Sequence, residues 1–372
     1  MNGIVQTVVT IVLFFGILGI LVVIHELGHF GSARLANVRV LEFGIGFPPR
    51  ARVLRSTGET LYTLNWLPIG GFVKLEGEDG DAKNDPRSFS AQSLVKRLLI
   101  LVSGVAMNVV LAFAIFAGIT WLASPYMGLR FFEVQPGSPA ATAGLVPGEA
   151  LVAVDGQRFQ FMTGPNILQG LRAKAGQAVT LTVDGADGAR RDVRVTLRDQ
   201  SSIDANQGAL GISQQSRSWE SYFDGASTTN DLPTALRVGA DETIRWMGLI
   251  VGGLGALAGS IAADPTAPPP VAGPIGIATQ IGDVFFNAGP IMTLFVAGIL
   301  SANLAVVNIL PFPPLDGGRM LMIVLKRLFG ARISLRAEQL TYLVGFVFLF
   351  AFIIWVSGFD IIRSLGGGTP SP

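Results

Sequence analysis

The fold of this chain is decided by the stretch VVIHELGHF, residues 22–30, which closes an apolar run from Ile4 to Ile24. That run carries no charged residue and is long enough to cross a bilayer as a helix. In a helix His25 and His29 project from one face, so both imidazoles can bind one zinc ion, while Glu26 can act on a water bound to the metal. We expect a metal site in or beside the membrane, in the last turn of the first membrane-spanning helix.

Both histidines of the 372-residue chain lie in this motif, and the chain has no cysteine. Two structural histidines at a helix end are the alternative to a metal site. If zinc is bound, a third ligand must come from elsewhere in the chain, and without thiolates it must be a carboxylate.

The composition indicates membrane-spanning segments together with a water-soluble domain. Hydrophobic residues make up 50% of the chain and charged residues 14%, and the mean hydropathy is +0.52. These values are too apolar for a soluble globular protein and too polar for a chain buried wholly in a bilayer. With a formal net charge of +1 and no basic cluster interleaved with aromatic residues, nothing indicates a nucleic-acid partner.

A polar loop from Ser32 to Arg97 follows the first helix and contains ten basic residues. By the positive-inside rule this loop is cytoplasmic, which places the N-terminus outside. Within it, residues 50–55 and 60–66 predict two strands of a hairpin that is associated with the membrane part. Such a hairpin could bind an extended substrate peptide as an added strand. A hairpin that serves only packing is the alternative.

Residues 126–216 have the pattern of a soluble β-rich domain. Apolar and polar residues alternate from 179 to 184 and again from 193 to 198, which predicts a hairpin with one buried face. The run QPGSPAATAGLVPG at 135–148 resembles a PDZ domain of the bacterial protease type. That resemblance implies binding of a chain end as an added strand, with the carboxylate held near Met127, Gly128 and Leu129.

Three further membrane helices are expected at 98–122, 289–310 and 340–356. Asn108 in the second of them is either a helix-packing residue or lies close to the metal site.

Residues 231–263 predict an amphipathic helix on the outer surface and not a span, followed by a proline-rich connector. The fold class is thus a polytopic α-helical membrane protein of about four transmembrane helices, with a β-hairpin and an inserted extracytoplasmic PDZ domain (α+β). Its expected parts are residues 1–125, 126–216, 217–288 and 289–372.

The third span ends in the sequence NILPFPPLDGG, from Asn308 to Gly318. Its prolines must break the helix, so this turn is buried in protein or lines a wet cavity. A carboxylate at membrane depth is costly unless it pairs or binds a metal, which makes Asp316 the expected third zinc ligand. The alternative is that Asp316 caps the next helix. Basic residues from 326 to 336 mark this side as cytoplasmic again.

These motifs, with the GPIG run at 273–276 and the PIGGFVK run at 68–74, resemble the site-2 protease family, and within it the bacterial regulator of sigma-E protease type. The resemblance covers nearly the whole chain. Two features depart from the family pattern. Only one PDZ domain fits between the second and third spans, whereas some relatives carry two, and the SGVA run at 103–106 lacks the proline usual before Asn108.

The resemblance implies a zinc metalloendopeptidase in which His25, His29 and Asp316 bind Zn2+ and Glu26 is the catalytic base. The residues it places near the substrate are Asn308, Pro311, Gly70, Gly71 and Phe72. The implied substrates are single-span membrane proteins already trimmed on their outer side, such as an anti-sigma factor, or leftover signal peptides. The enzyme would be a monomer in the bacterial inner membrane, with its active site towards the cytoplasm and a periplasmic PDZ domain acting as a gate.

Two other classes of protein remain open. A membrane-bound zinc protease that cuts exposed loops would explain the HExxH motif but not Asp316 after a proline-broken helix. A non-catalytic PDZ scaffold would explain the soluble domain but not Glu26.

Overall fold

The computed structural model describes residues 3–78, 85–203, 208–212, 218–264, 266–330 and 334–365, and most of them are helical. The helices are α1 (Gly3–Leu35), α2 (Leu94–Ala123), α3 (Pro139–Thr142), α4 (Ile167–Ala173), α5 (Leu232–Ala263), α6 (Pro274–Ile309), α7 (Asp316–Phe329) and α8 (Leu335–Leu365). By length and composition α1, α2, α5, α6 and α8 could each cross a membrane. The chain forms two compact units, one of residues 1–115, 240–284 and 294–372, the other of residues 116–239 and 285–293.

Helix α1 is longer than expected, because it continues past His29 to Leu35. No proline occurs in this stretch, and the helical path ends before Asn37, whose φ is 62°. The HExxH motif therefore lies inside the helix and not in its last turn, which corrects the expectation. Small residues join α1 to α2: a Cβ at Gly28 would overlap the Ser103 carbonyl oxygen, and the hydroxyls of Ser32 and Ser103 are 2.6 Å apart. Such contacts let two helix backbones approach closely.

The loop between α1 and α2 contains the expected hairpin, formed by β1 (Val40–Thr57) and β2 (Thr60–Leu75). Both strands are bent, so that residues 42–45 pair with 61–64 on one side and with 71–74 on the other. The sheet therefore has four segments, in the order 50–57, 60–65, 40–45 and 71–75, and the segment 71–75 is an outer edge. Gly46 and Gly70, with φ of 81° and 82°, lie at the bends.

Helix α6 consists of two helices joined at Gly289, whose φ of 82° breaks the helical path just before Pro290. The second part matches the expected third span. The first part, from Pro274, occupies residues expected to be connector, which corrects that boundary. Asp360 of α8 explains the GPIG run: its buried carboxylate accepts hydrogen bonds from the N–H groups of Gly273 (3.2 Å) and Gly276 (2.9 Å) at the start of α6.

Helix α5 covers the residues expected to form a surface helix. It is also long and apolar enough to span a membrane, so the count of four membrane crossings remains a prediction.

The second unit contains the inserted domain. Its strands are β3 (Ser124–Pro125), β4 (Gly128–Phe131), β5 (Ala150–Val154), β6 (Gln157–Arg158), β7 (Ala178–Asp184), β8 (Arg190–Thr196), β9 (Trp219–Tyr222) and β10 (Ser227–Thr228). The main sheet has the order β8-β7-β5-β4-β9, with β6 paired to β5. One hydrophobic core, which includes Phe131, Leu151, Ile167 and Leu181, lies under this sheet.

The domain extends beyond its expected boundary at residue 216, because β9 pairs with β4 and completes the sheet. The separate pair of β3 with β10 brings the two ends of the domain together. In this domain, the buried Asp184 accepts hydrogen bonds from Nε (2.6 Å) and Nη2 (2.8 Å) of the half-exposed Arg190. These bonds favour the charged carboxylate, so they lower the pKa of Asp184 below its ordinary value.

Candidate metal centre

Three side chains that could bind a metal come together in the first unit. His25 and His29 lie on one face of α1 and are buried, and Asp316 is the first residue of α7. Oδ2 of Asp316 is 3.0 Å from Nε2 of His25 and 3.2 Å from Nε2 of His29, and the two Nε2 atoms are 3.1 Å apart. The structure thus brings together the three residues expected to be ligands, which are up to 291 positions apart in the chain (316 − 25).

This triangle of atoms fits a zinc ion. Tetrahedral zinc lies about 2.0–2.2 Å from nitrogen and oxygen ligands, which sets the ligand atoms about 3.3 Å from one another. The observed separations of 3.0 to 3.2 Å are close to that value. Moreover, Oδ2 of Asp316 is buried without a hydrogen-bond donor among the described residues, and a buried carboxylate oxygen requires a positively charged or hydrogen-bonding partner. Three protein ligands leave a fourth position open, as in catalytic zinc sites.

Helix α2 orients the imidazole of His29. Nδ1 of His29 lies 2.8 Å from the carbonyl oxygen of Ile100, so Nδ1 carries the proton and Nε2 is free to bind the metal. A Cβ at Gly104 would overlap Nε2 of His29 and would come within 2.9 Å of Cε1 of His25. A glycine at this position is therefore required for α2 to lie against the two imidazoles.

Asn108 orients His25. Its side-chain amide is 3.1 Å from Nδ1 of His25, and the residue is fully buried. When Nε2 of His25 binds a metal, Nδ1 carries the proton and needs an acceptor, which is Oδ1 of the Asn108 amide. The oxygen and nitrogen ends of an amide have nearly the same shape, so the amide can turn to place Oδ1 against Nδ1. The backbone oxygen of Asn108 accepts a hydrogen bond of 2.8 Å from Ser301 of α6. Asn108 thus lies at the site and also joins two helices.

The proline-rich turn places Asp316. Two glycines follow Asp316, and a Cβ on Gly317 would overlap the carbonyl oxygens of Ile309 and Leu310, at the end of α6. These glycines let α7 begin directly against the end of α6. The N-cap of α7 is Leu315, with no side-chain cap, so the alternative in which Asp316 caps this helix is wrong.

Glu26 lies beside the edge segment of the hairpin. A Cβ on Gly71 would be 3.3 Å from Cγ of Glu26, so the backbone of β2 runs past this glutamate. Gly70 forms the bend before it, and the ring of Phe72 packs over Gly44, where a Cβ would overlap it. Asn308 is half-buried in the last turn of α6, and Pro311 is exposed in the turn that follows.

The residues expected near the PDZ carboxylate loop lie where β4 begins. The N–H of Met127, just before the strand, donates to the carbonyl of Phe159. Gly128 and Leu129 belong to β4, which pairs with β9 on one side and β5 on the other. The carboxylate loop near 127–129 stays a prediction.

An ion pair near the site was not expected from the sequence. Arg319, one turn after Asp316, forms a close ion pair with Glu78 in the turn that follows β2. This pair ties the first turn of α7 to the hairpin. A basic residue three positions after Asp316, in an otherwise apolar stretch, was the signal for it.

Two imidazoles, a carboxylate and a neighbouring glutamate, all on or beside apolar helices, define the class of a membrane-bound metal-dependent hydrolase. The sequence profile of peptidase family M50 matches residues 13–352. The chain is 31% identical over 343 residues to a candidate zinc metalloprotease of Clostridium perfringens, covering 92% of this chain and 95% of the relative. It is 26% identical over 441 residues to the zinc metalloprotease RasP of Geobacillus kaustophilus, covering 96% and 99% of the two chains.

The chain therefore belongs to peptidase family M50, the site-2 proteases. It is a membrane zinc metalloendopeptidase, and its cofactor is zinc, for which the His-His-Asp group is positioned.

Proposed function

We propose that this protein is an intramembrane endopeptidase of the bacterial inner membrane, which cuts the transmembrane segments of single-span membrane proteins. The observation that carries this proposal is the depth of the metal centre. Gly104, against His29, lies seven residues after Arg97, the last charged residue before the apolar part of α2. Seven residues of helix correspond to about 10 Å. A metal at this depth lies at the level of lipid chains, where a water-exposed loop of a substrate would not reach it.

The chemistry follows from His25, His29, Asp316 and Glu26. His25, His29 and Asp316 would hold the zinc ion, which when bound would supply a Lewis acid for the peptide carbonyl and for the attacking water. Glu26 takes the proton of the attacking water and gives it to the leaving amine. The Ile100 carbonyl and the Asn108 amide keep the proton of each imidazole on Nδ1, which leaves Nε2 free for the metal.

The hairpin would hold the substrate. A helical substrate has no exposed backbone, so it must be unwound before its carbonyl can reach the metal. The edge segment 71–75 lies next to Glu26, and its outer edge is where an extended peptide would add as a strand. We place Gly70, Gly71 and Phe72 on this path, together with Asn308 and Pro311. A hairpin that only packs against α1 is the alternative.

Four membrane crossings give a consistent topology. Helix α2 contacts the metal ligands near its N-terminal end and leads to the inserted domain at its other end. Helix α6 must return the chain to the metal side, because Asp316 follows it. If α5 also crossed the membrane, α6 would carry the chain away from the metal side, where Asp316 must lie. We therefore place α5 on the outer surface. The basic loops then lie in the cytoplasm and the inserted domain in the periplasm.

The chain has no cysteine, so single introduced cysteines can test this topology directly. A membrane-impermeant thiol reagent added to the periplasmic side should label Asp187→Cys in the turn between β7 and β8. It should label Arg52→Cys, an exposed position of the hairpin, only after the membrane is opened. The reverse pattern would overturn the orientation.

Cleavage within the membrane is tested with the purified protein in liposomes, with a single-span substrate whose outer part has been removed. Wild-type protein should yield two products that end inside the apolar segment, as measured by mass spectrometry. Glu26→Gln should lower the rate by about 10²–10⁴-fold without loss of zinc, and the control Glu220→Gln, a half-exposed carboxylate of β9, should not. Cleavage confined to a water-exposed loop would favour the membrane-bound zinc protease that cuts exposed loops, and an unchanged rate in Glu26→Gln would favour the non-catalytic PDZ scaffold.

We also propose that the inserted domain is a PDZ domain that limits access by substrate size. Trimmed anti-sigma factors and leftover signal peptides are substrates that would pass such a gate. A cavity of about 180 Å³ between α4 and residues 208–212, lined by Leu168, Arg172 and Leu210 among others, is the place where a chain end would bind if the domain instead recruits trimmed substrates. Gating is favoured, because enzyme and substrate are already confined to one membrane and a weak peptide contact adds little.

The paired ends of the domain allow a clean deletion. Pro125 of β3 lies opposite Ser227 of β10, so residues 126–226 can be replaced by a two-residue turn. A gate predicts that this variant cuts untrimmed substrate and cuts trimmed substrate at the wild-type rate. If the domain instead recruits trimmed substrates, the deletion variant and Arg172→Gln should both cut the trimmed substrate more slowly than the wild type. Unchanged rates for both substrates would contradict either role.

A further inference from the structure

A second cavity of about 270 Å³ lies in the first unit, where α2 and α8 begin, and it extends to α7. Its polar lining residues include Glu78, Arg97, Arg319, Glu338 and Tyr342. None of these residues is a metal ligand or the proposed base. The cavity is therefore a site separate from the catalytic chemistry.

The charges that line this cavity are paired, with one exception. Arg319 pairs with Glu78, and Glu338 pairs with Lys326. Arg97 differs from these residues: its Nε is buried and has no hydrogen-bond partner among the described residues, and its guanidinium lies over the Phe89 ring, 5.1 Å from the centroid. A buried donor without a partner is costly. The lining has two acidic and two basic residues, and Lys326, the partner of Glu338, adds a third basic group, so that Arg97 is the cation left over. An anion satisfies both requirements.

The surroundings of Arg97 identify the kind of anion. On α2, Val95 and Leu99 on either side of it are 65% and 58% exposed. In the first turns of α8, Leu340 and Leu343 are 60% and 59% exposed. In a membrane protein, such side chains lie against lipid chains. Exposed basic side chains occur in the last turn of α7, at Arg327, and in the first turn of α8, at Arg336.

Basic groups above an apolar flank occur at the level of lipid headgroups, where arginine binds phosphate through several N–H groups. From this combination, we propose that the cavity binds the phosphate of an anionic phospholipid, with Arg97 as its main ligand. The bound headgroup lies between α2, α7 and α8, and so fixes the ends of the two membrane helices against the helix that begins with Asp316. A free phosphate ion shares the chemistry of the headgroup but has no chains to lie on the apolar flank.

The test uses the full-length zinc-loaded protein in detergent, titrated with phosphatidylglycerol or phosphatidylcholine and measured by native mass spectrometry. One phosphatidylglycerol should bind at least tenfold more tightly than phosphatidylcholine. Arg97→Gln should remove at least this tenfold preference, because a hydrogen bond to a charged group contributes about 1.5–3 kcal/mol. Lys96→Gln is the matched control: it removes the same charge one position earlier, from an exposed side chain, and should change the affinity less than twofold.

Arg97→Lys, which keeps the charge, should retain part of the preference, and zinc content verifies that each variant is folded. Equal losses in Arg97→Gln and Lys96→Gln would overturn the proposal, because they would mean attraction to general surface charge. Equal affinity for the two lipids would overturn it as well. If inorganic phosphate competes with the lipid at similar concentration in an Arg97-dependent way, the site takes free phosphate and the lipid assignment is wrong.

Discussion

The metal centre and the inserted domain are built in opposite ways. The ligands at the metal centre come from α1 and α7 and are oriented by α2, and glycines occupy the positions where any side chain would overlap a neighbour. The inserted domain is one continuous run with its own core. A change at the metal centre should therefore weaken zinc binding and leave the inserted domain folded. A change within the domain should lower the stability of the domain and leave zinc binding unchanged.

The largest effect is expected from Asp316→Ala, which removes one of three ligands. Zinc in the purified protein should fall from about one ion per chain to nearly none, because two imidazoles alone hold zinc weakly. Elemental analysis measures this loss, and hydrogen exchange should find the inserted domain unchanged. Asp283→Ala, on an exposed carboxylate of α6, is the control and should retain zinc. Full zinc content in Asp316→Ala would refute the ligand assignment.

Gly104→Ala should have the next largest effect. The added methyl group would overlap Nε2 of His29, and overpacking of this kind costs about 1–3 kcal/mol, which corresponds to as much as a hundredfold in zinc affinity. Competition with a chelator of known affinity measures the change. Gly118→Ala in the same helix has no atom within 4 Å of the new methyl group and should bind zinc like the wild type. Equal affinity in both variants would mean that α2 can move away from the imidazoles.

Asn108→Ala should weaken zinc binding about tenfold, at the lower end of the effects seen when a residue that orients a ligand is removed. Asn108→Asp keeps an acceptor for the Nδ1 proton of His25 and should restore most of the affinity. The same chelator competition distinguishes the two variants. If Asp and Ala at this position behave alike, the contribution of Asn108 is helix packing and not the orientation of His25.

The smallest effect is expected in the inserted domain, from Asp184→Asn. Hydrogen bonds from Arg190 lower the pKa of Asp184 in the folded state, so the charged carboxylate stabilises the domain above its unfolded pKa of about 3.9. That stabilisation is lost as the pH falls through the folded pKa. Since Arg190 is half-exposed, we expect Asp184→Asn to cost about 1 kcal/mol at pH 7 and nothing at low pH.

Hydrogen exchange of the Leu181 and Val183 amides in the full chain measures this difference at the two pH values. Asp187→Asn, in the neighbouring turn, is the control. Zinc content should not change in either variant. A loss of zinc in Asp184→Asn would show that the metal centre depends on the inserted domain, and would contradict the independence of the two regions.

The three metal ligands could be predicted because their signals are local. The spacing of His25 and His29 places them on one helix face, and a carboxylate such as Asp316 after a proline-broken apolar helix has few other roles. The groups that orient the ligands could not be predicted in the same way. The acceptor for His29 is a backbone oxygen of Ile100, and every residue has such an oxygen.

The boundaries that were missed have physical reasons. Residues 31–34 are small or polar, which predicts an early end for α1, but none of them is proline and the helix continues through them. Gly289-Pro290 predicts a helix start, whereas in the structure it is a kink within α6. The last strand of the inserted domain, Trp219–Tyr222, has no alternation of apolar and polar residues, so only its pairing with β4 reveals it.

The separation of the metal ligands along the chain has a consequence for biosynthesis. Asp316 follows His29 by 287 residues (316 − 29), so the ribosome makes α1, α2, the inserted domain and α6 before it makes the third ligand. A nascent chain therefore carries Glu26 but holds only two of the three groups that bind zinc. We therefore expect this protease to stay inactive until its own translation is nearly complete, because its zinc site lacks one ligand until then.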